Sequence, residues 1–281
     1  MRKQIKNLAA LKHAILSLEG RNVHQFMPDR HDACVCFQFG EPLIDDQLHG
    51  GLAVDCMHEI RCAQTRDIAA TASLLCAFLS RNLKGQEKLI WVVDPAACFE
   101  AGQLYPDGLV QLGCNPSNLV FVHPADLKTA IWAVGEVARQ GGVSAIVFQV
   151  KGNPKMLDLA VSRKLMLRAQ ASRTPLFLLR QAGEEEASSA STRWCVAPLQ
   201  SQQHKELKWG VGPMRHRLTL ERNRTGQTGN WPVSWHSTKR TFSHAAQKAS
   251  PTRYSSTVST PADRPDIPSS MGQVMAFERA S

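Results

Sequence analysis

The stretch His58-Glu59-Ile60-Arg61-Cys62-Ala63-Gln64-Thr65-Arg66-Asp67-Ile68-Ala69-Ala70 decides how this chain is read. Just before its turn, Cys56-Met57-His58-Glu59-Ile60 reads as a short strand. After it, residues 67–81 read as a nearly all-apolar helix (Ile68, Ala72, Leu74, Leu75, Phe78, Leu79) with Thr65 or Asp67 as its cap. Strand, loop and helix are the setting of a phosphate-binding loop. Such a loop surrounds phosphate with backbone N–H groups, neutralises it with Lys and holds Mg²⁺ with Ser or Thr. The length fits, but the stretch holds no glycine and no lysine. An Ile side chain cannot stabilise a triphosphate. Asp67 at a helix N-terminus would repel one and itself take the favourable dipole position.

Working outward, strands and helices alternate. Leu89-Ile90-Trp91-Val92-Val93, ending in Asp94, reads as a buried parallel strand. Residues 98–113 read as a helix and turn, and Asn118 to Val122 as the next strand. Asp126 caps a helix to about Gln140, which Gly141-Gly142 ends. Val143 to Val150 is another strand, 156–172 a helix and Leu176 to Leu179 a strand. Repeated βα units predict an α/β fold, a mainly parallel sheet flanked by helices. Glu184 to Thr192 is polar and small, which predicts a mobile surface loop. Beyond it the period becomes two. His216, Leu218 and Leu220 alternate with Arg217, Thr219 and Glu221, and a turn leads to Trp231-Pro232-Val233-Ser234-Trp235. That is an antiparallel hairpin with Pro232 on an edge strand.

On the other side, residues 4–19 read as a helix with Leu8, Leu11, Ile15 and Leu18 on one face. That face either covers its own domain or docks, including on a second copy of the chain. The predicted division is 1–39, N-terminal helix and linker; 40–242, core; and 243–281, a disordered basic tail rich in Ser, Thr, Pro and Ala.

Composition sets the limits. The chain has 281 residues, a net charge of +9 and 43% apolar residues, enough to bury a core. It lacks a run of about 18 apolar residues, so no membrane span is expected. The basic start lacks a signal-peptide core, and eight cysteines then read as reduced thiols of a cytoplasmic protein. The charge is uneven. Residues 1–202 hold 21 basic and 19 acidic residues, and residues 203–281 hold 12 and 5. A basic C-terminal third suits a polyanionic or acidic partner, or a solubilising tail. Lys205, Lys208, Arg215, Arg217, Arg222 and Arg224 are the candidate contacts with DNA or a partner. Trp209, Trp231 and Trp235 could stack on bases, but their parity favours core packing. His31, Cys34, Cys36, Cys56, His58 and Cys62 lack a usual zinc spacing, so no metal is expected. Cys98, Cys114 and Cys195 have no base beside them in sequence. Arg61 and Arg66 could still attract an anion.

The order of elements resembles the RecA-type core. Gly50-Gly51-Leu52 leading to His58-Glu59-Ile60 is similar to the glycine pair and first strand ahead of its phosphate loop. On that alignment Cys62 and Asp67 stand for the loop glycines, Ile68 for the lysine and Ala69 for the Mg²⁺-binding hydroxyl residue. Ala96 stands for the catalytic glutamate and Gln149 for the Walker B aspartate. Leu179-Arg180-Gln181 keeps the glutamine that links nucleotide to DNA-binding loop. Arg222-Asn223-Arg224 is similar to the Lys-Asn-Lys that reaches a neighbour's nucleotide. The resemblance therefore implies a retained fold, a lost ATPase and no cofactor.

A closer resemblance, over roughly residues 10–240, is to the ImuA family of RecA/SulA-like damage-inducible mutagenesis proteins. It is carried by the order and spacing of several pieces. They are Gly50-Gly51-Leu52 with His58-Glu59, Gly102-Gln103-Leu104-Tyr105 to Gly108-Leu109, Leu112-Gly113, Ser162-Arg163-Lys164-Leu165, Thr192-Arg193-Trp194, and Leu220-Glu221-Arg222-Asn223-Arg224 with the Trp231 hairpin. It implies a cytoplasmic, nucleoid-associated accessory factor of SOS-induced translesion DNA synthesis. Its implied partners are a polymerase-like ImuB protein, an error-prone DNA polymerase III α subunit, and RecA or DNA, with no membrane. The alternatives are a RecA paralogue acting directly on DNA and, ranked last, a SulA-like inhibitor of cell division.

Overall fold

The computed structural model describes residues 35–83, 88–201, 210–224 and 226–245. The predicted N-terminal helix with Leu8, Leu11, Ile15 and Leu18, together with His31, Cys34, Lys205, Lys208, Trp209 and residues 246–281, lies outside them.

Apolar strands that bury both faces build the centre. The parallel strands are β3 (Met57–Arg61), β4 (Leu89–Val93), β5 (Leu119–Val122), β6 (Ala145–Lys151), β7 (Leu176–Gln181) and β8 (Thr192–Leu199). Three antiparallel strands extend the sheet: β9 (Arg215–Asn223), β10 (Gly229–His236) and β11 (Thr241–His244). The spatial order is β11-β10-β9-β8-β3-β7-β6-β4-β5, so β3 lies between β7 and β8 with the phosphate-loop segment at its end. A separate pair, β1 (Cys36–Phe37) with β2 (Leu52–Ala53), precedes the sheet, with the short α1 (Pro42–Asp45) between them. The expected class, a mainly parallel sheet with helices and an antiparallel C-terminal hairpin, is what the chain forms.

Alternation along the strands splits the core in two. Ile60, Trp91, Val147, Phe177 and Leu179 pack with Leu75, Phe78 and Leu79 of α2 (Ile68–Asn82). Met57, Val92, Ile146, Phe148 and Leu178 pack with Val134 of α5 (Leu127–Gln140) and Leu165 of α6 (Leu159–Ser172). Each such side chain contributes about 1.5–3 kcal/mol on full burial. Trp231 and Trp235 belong to the first of these cores, as their parity indicates.

Several boundaries differ from the sequence reading, each for a local reason. The segment 98–113 is two short helices, α3 (Pro95–Ala101) and α4 (Pro106–Val110), each started by a proline and separated at Gly102 with φ 76°. The helix expected from 156 starts at Leu159, because Asp158 Oδ1 accepts the Val161 N–H. Asp126 caps α5 in the same way through Thr129. By contrast, Asp67 ends a 3₁₀ turn (Thr65–Asp67), and its side chain makes no cap hydrogen bond at the start of α2. The loop 184–192 is exposed only in its first half, where Asn153 and Arg193 bond Glu184 and Glu186. Ser188, Ser189 and Ala190 are buried, and the Ser189 N–H donates to Ser162 Oγ. β8 and β11 carry no strand signal in the sequence and form nonetheless. β11 crosses the expected start of the tail at 243, and the compact body runs to Ala245.

Candidate functional site

β3 delivers the chain to the position where the resemblance sets a phosphate loop. Cys62 is fully buried, and burial pushes its thiol pKa up. Ile68, at the position of the lysine, turns into the core and is 7% exposed. Ala69 faces solvent. Asp67 lies 3.9 Å from the exposed Arg66 guanidinium.

Beside the loop runs a chain of polar side chains that satisfy one another. Trp91 Nε1 donates to Gln149 Oε1 (3.1 Å), and Gln149 Nε2 donates to Gln181 Oε1 (3.3 Å). Gln181 Nε2 donates to Glu100 Oε2 (3.3 Å), which pairs with Lys151 Nζ at 3.0 Å. The Lys151 ammonium holds the Glu100 carboxyl below its usual pKa, helped by the Thr65 hydroxyl from the loop itself. Ala96 sits exposed in the first turn of α3, where its N–H donates to Asp94 Oδ1 (3.3 Å). The other Asp94 oxygen accepts the Lys151 N–H. Thr65, Gln149, Gln181, Glu100 and Lys151 thus bond to each other rather than converge on an open point.

The outer end of β3 carries a second network. Arg61 bonds both oxygens of Glu221 on β9, at 2.9 Å through Nε, and donates from Nη1 to Gly183 O at 3.0 Å. Behind it Glu59 and Arg180, 0% and 1% exposed, pair at 3.1 Å. Arg193 approaches the same Glu59 oxygen at 3.4 Å and donates to the Glu186 backbone carbonyl. Buried charges this far from water persist only when paired and hydrogen-bonded. Arg61 is therefore committed to Glu221, and Arg66 is the loop cation that faces solvent.

His58 is read by its neighbours. Its Nε2 lies 2.9 Å from Ala53 O, which can only accept, so Nε2 carries the proton. Its Nδ1 then accepts from Thr192 Oγ1 (2.8 Å), which in turn accepts from Trp194 Nε1 (2.9 Å). Burial pushes the His58 pKa down to about 4. His216, buried on β9, is also pushed down to about 4. Among the described residues no cluster of three His, Cys, Asp or Glu could hold a metal ion.

The basic candidates separate into two groups. Arg215 and Arg217 pair with Leu199 and Ala197 at one end of β9, and Arg215 donates to Gln200 O. At the other end Arg222 donates to Ser188 O (2.8 Å), and Arg224 is exposed. Partial burial, then the Arg222 and Arg163 charges, pull the Arg224 pKa down. The fold thus gathers Arg222 and Arg224 with Arg163 of α6. In the sequence Arg163 stands out only within the Ser162-Arg163-Lys164-Leu165 stretch. Its helical spacing marks it as exposed, but nothing local relates it to a strand that begins some fifty residues later.

No family model matches the chain. Among curated proteins it is similar to Protein ImuA of Caulobacter vibrioides, strains NA1000 / CB15N and ATCC 19089 / CIP 103742 / CB 15. Each is 29% identical over 210 residues, 69% of this chain and 80% of the relative. Among solved structures it is similar to the crystal structure of the RadB recombinase, at 15% identity and a TM-score of 0.49, covering 74% of this chain and 99% of that one. The similarity to Protein ImuA bears out the ImuA-family resemblance that the sequence carries from Gly50-Gly51-Leu52 to the Trp231 hairpin.

Proposed function

We propose that this protein is a non-catalytic accessory protein of DNA-damage-induced, error-prone translesion synthesis. It uses a RecA-like body as a scaffold without nucleotide chemistry. One observation carries the reading. At the position of a phosphate-loop lysine the chain has Ile68, buried in the apolar core, and the polar groups beside it are spent on each other. With Ala69, Ala96 and Gln149 at the other catalytic positions, neither Mg²⁺ nor a hydrolytic water has an acid to hold it. The partners on this reading are an ImuB-like polymerase relative and an error-prone DNA polymerase III α subunit, with RecA or DNA as further contacts. Leu8, Leu11, Ile15 and Leu18 would form a helix interface, and 243–281 would carry the remaining basic charge.

Purified protein should neither hydrolyse ATP nor shift its melting temperature with MgATP. Ile68→Lys should not restore hydrolysis; it should lower stability by about 2–4 kcal/mol by forcing an ammonium into the core. Hydrolysis by the native chain that is lost on changing Asp67 would sink the proposal.

A second reading, direct contact with DNA, is favoured by the gathering of Arg222 and Arg224 with Arg163. Glu substitutions at Arg222 and Arg224 should then weaken duplex binding and flatten its salt dependence. Unchanged binding removes that reading.

A further inference from the structure

The outer faces of α5 and α6 enclose an open groove of about 410 Å³, away from the phosphate-loop position. One stripe of α6 forms most of it: Ala160, Arg163, Lys164, Leu167, Arg168 and Ala171, spaced i, i+3, i+4, i+7, i+8 and i+11. Arg139, in the last turn of α5, closes the far side. Glu136 is the acid at this place, and it is shared by Arg139 (2.8 Å) and Arg168 (3.7 Å). Four cations and one carboxylate leave a charge of +3. Arg168 lies close over Gly135 of α5, where a Cβ would come within 2.4 Å of its Nη1 and make the guanidinium shift.

The arrangement is amphipathic rather than merely basic. Leu167, 49% exposed, stands between Ala160, about two turns before it, and Ala171, about one turn after it, so a second backbone can approach closely. A phosphodiester backbone would use the cations and leave Leu167 idle. A helix with an apolar stripe and acidic flanks would use both. The chain's own remaining segments have the wrong sign. Residues 1–34 hold six basic and three acidic residues, and residues 246–281 hold four and three.

We propose that this α5–α6 groove docks an acidic amphipathic helix of a partner protein, with Leu167 as its apolar anchor and Arg163, Lys164, Arg168 and Arg139 as its charged rim. The inference rests on the groove alone and goes beyond the accessory reading, which places its contacts elsewhere and would survive its failure.

The test is fluorescence anisotropy with the full chain. The probe is a labelled helical peptide of about 18 residues with Leu on one stripe and Glu elsewhere. The counterpart carries Lys in place of Glu, and a labelled duplex of about 20 base pairs is titrated in parallel. The Glu peptide should bind saturably. The double variant Arg163→Glu/Lys164→Glu and, separately, Leu167→Asp should each weaken it by about tenfold or more. The double variant should gain affinity for the Lys peptide. All three positions are exposed, and circular dichroism checks the fold; if Leu167→Asp melts, the charge swap decides alone. No saturable binding, equal binding by native protein and variants, or binding of the duplex but not the peptide that is lost in the double variant would each overturn the proposal.

Discussion

Two regions of the molecule treat their charges in opposite ways. Around the ends of β3, β6 and β7, every cation near the core has an acid: Lys151 with Glu100, Arg61 with Glu221, Arg180 with Glu59. Where β9 ends and along α6, cations crowd one another, and Arg224 feels both Arg222 and Arg163. The first arrangement stabilises a shape and leaves no net field for a ligand. The second costs stability through like-charge repulsion and is useful only to something anionic. The chain thus pairs its charges around the ends of β3, β6 and β7, and crowds its cations on the flank.

The largest way to break that comparison is Arg180→Leu. It leaves the buried Glu59 carboxylate with Arg193 alone, at 3.4 Å, and should cost about 3–5 kcal/mol in urea unfolding. A loss under about 1 kcal/mol would mean the pair is not what holds β3 to β7 and β8. Next comes acid. His58 and His216 have pKa values near 4 in the fold against an ordinary 6.5. The unfolded chain therefore binds more protons between these values. Stability should be full above pH 6.5 and fall as pH drops through 4, by roughly 3 kcal/mol per histidine. His58→Gln should shallow that slope, and a pH-independent unfolding free energy over this window would contradict the buried neutral rings. The smallest effect is on the flank. Arg224→Gln should leave stability within about 0.5 kcal/mol. It should also lower the salt slope of any polyanion binding by about one. If it destabilises strongly instead, the flank is structural too, and the contrast between the regions disappears.

What the sequence made legible was whatever depends on near neighbours. The caps at Asp126 and Asp158 follow from side chains three residues from their targets. The parity of Trp231 and Trp235 indicated the core. β8 was hidden because Thr192, Arg193 and Trp194 are all buried, Arg193 on the Glu59 side and Trp194 in the opposite core, so polar and apolar residues do not sort by face; the bulge beside them leaves its extra residue, Glu221, on β9. β11 has four residues and no pattern of its own. It exists because β10 pairs with it and Phe242 packs on Phe39 and Trp235. At the candidate site, the apolar character of Ile68 and Ala69 is open to direct reading. The partners that fill the space, Glu100 with Lys151 and Gln149 with Gln181, lie far apart in the chain and meet only through strand order.

β11 also sets when the molecule can be finished. The His244 N–H donates to Glu41 Oε2 (2.6 Å), and the Phe242 N–H donates to Phe39 O (3.3 Å). Arg81 of α2 bridges the same seam, reaching Gln38 O and Arg240 O. The segment at β1 is therefore locked by residues synthesised some two hundred positions later. Contacts of that sequence separation are slow to form, because the loop they close is long. During synthesis the start of the body waits, unsealed, until its last strand has left the ribosome.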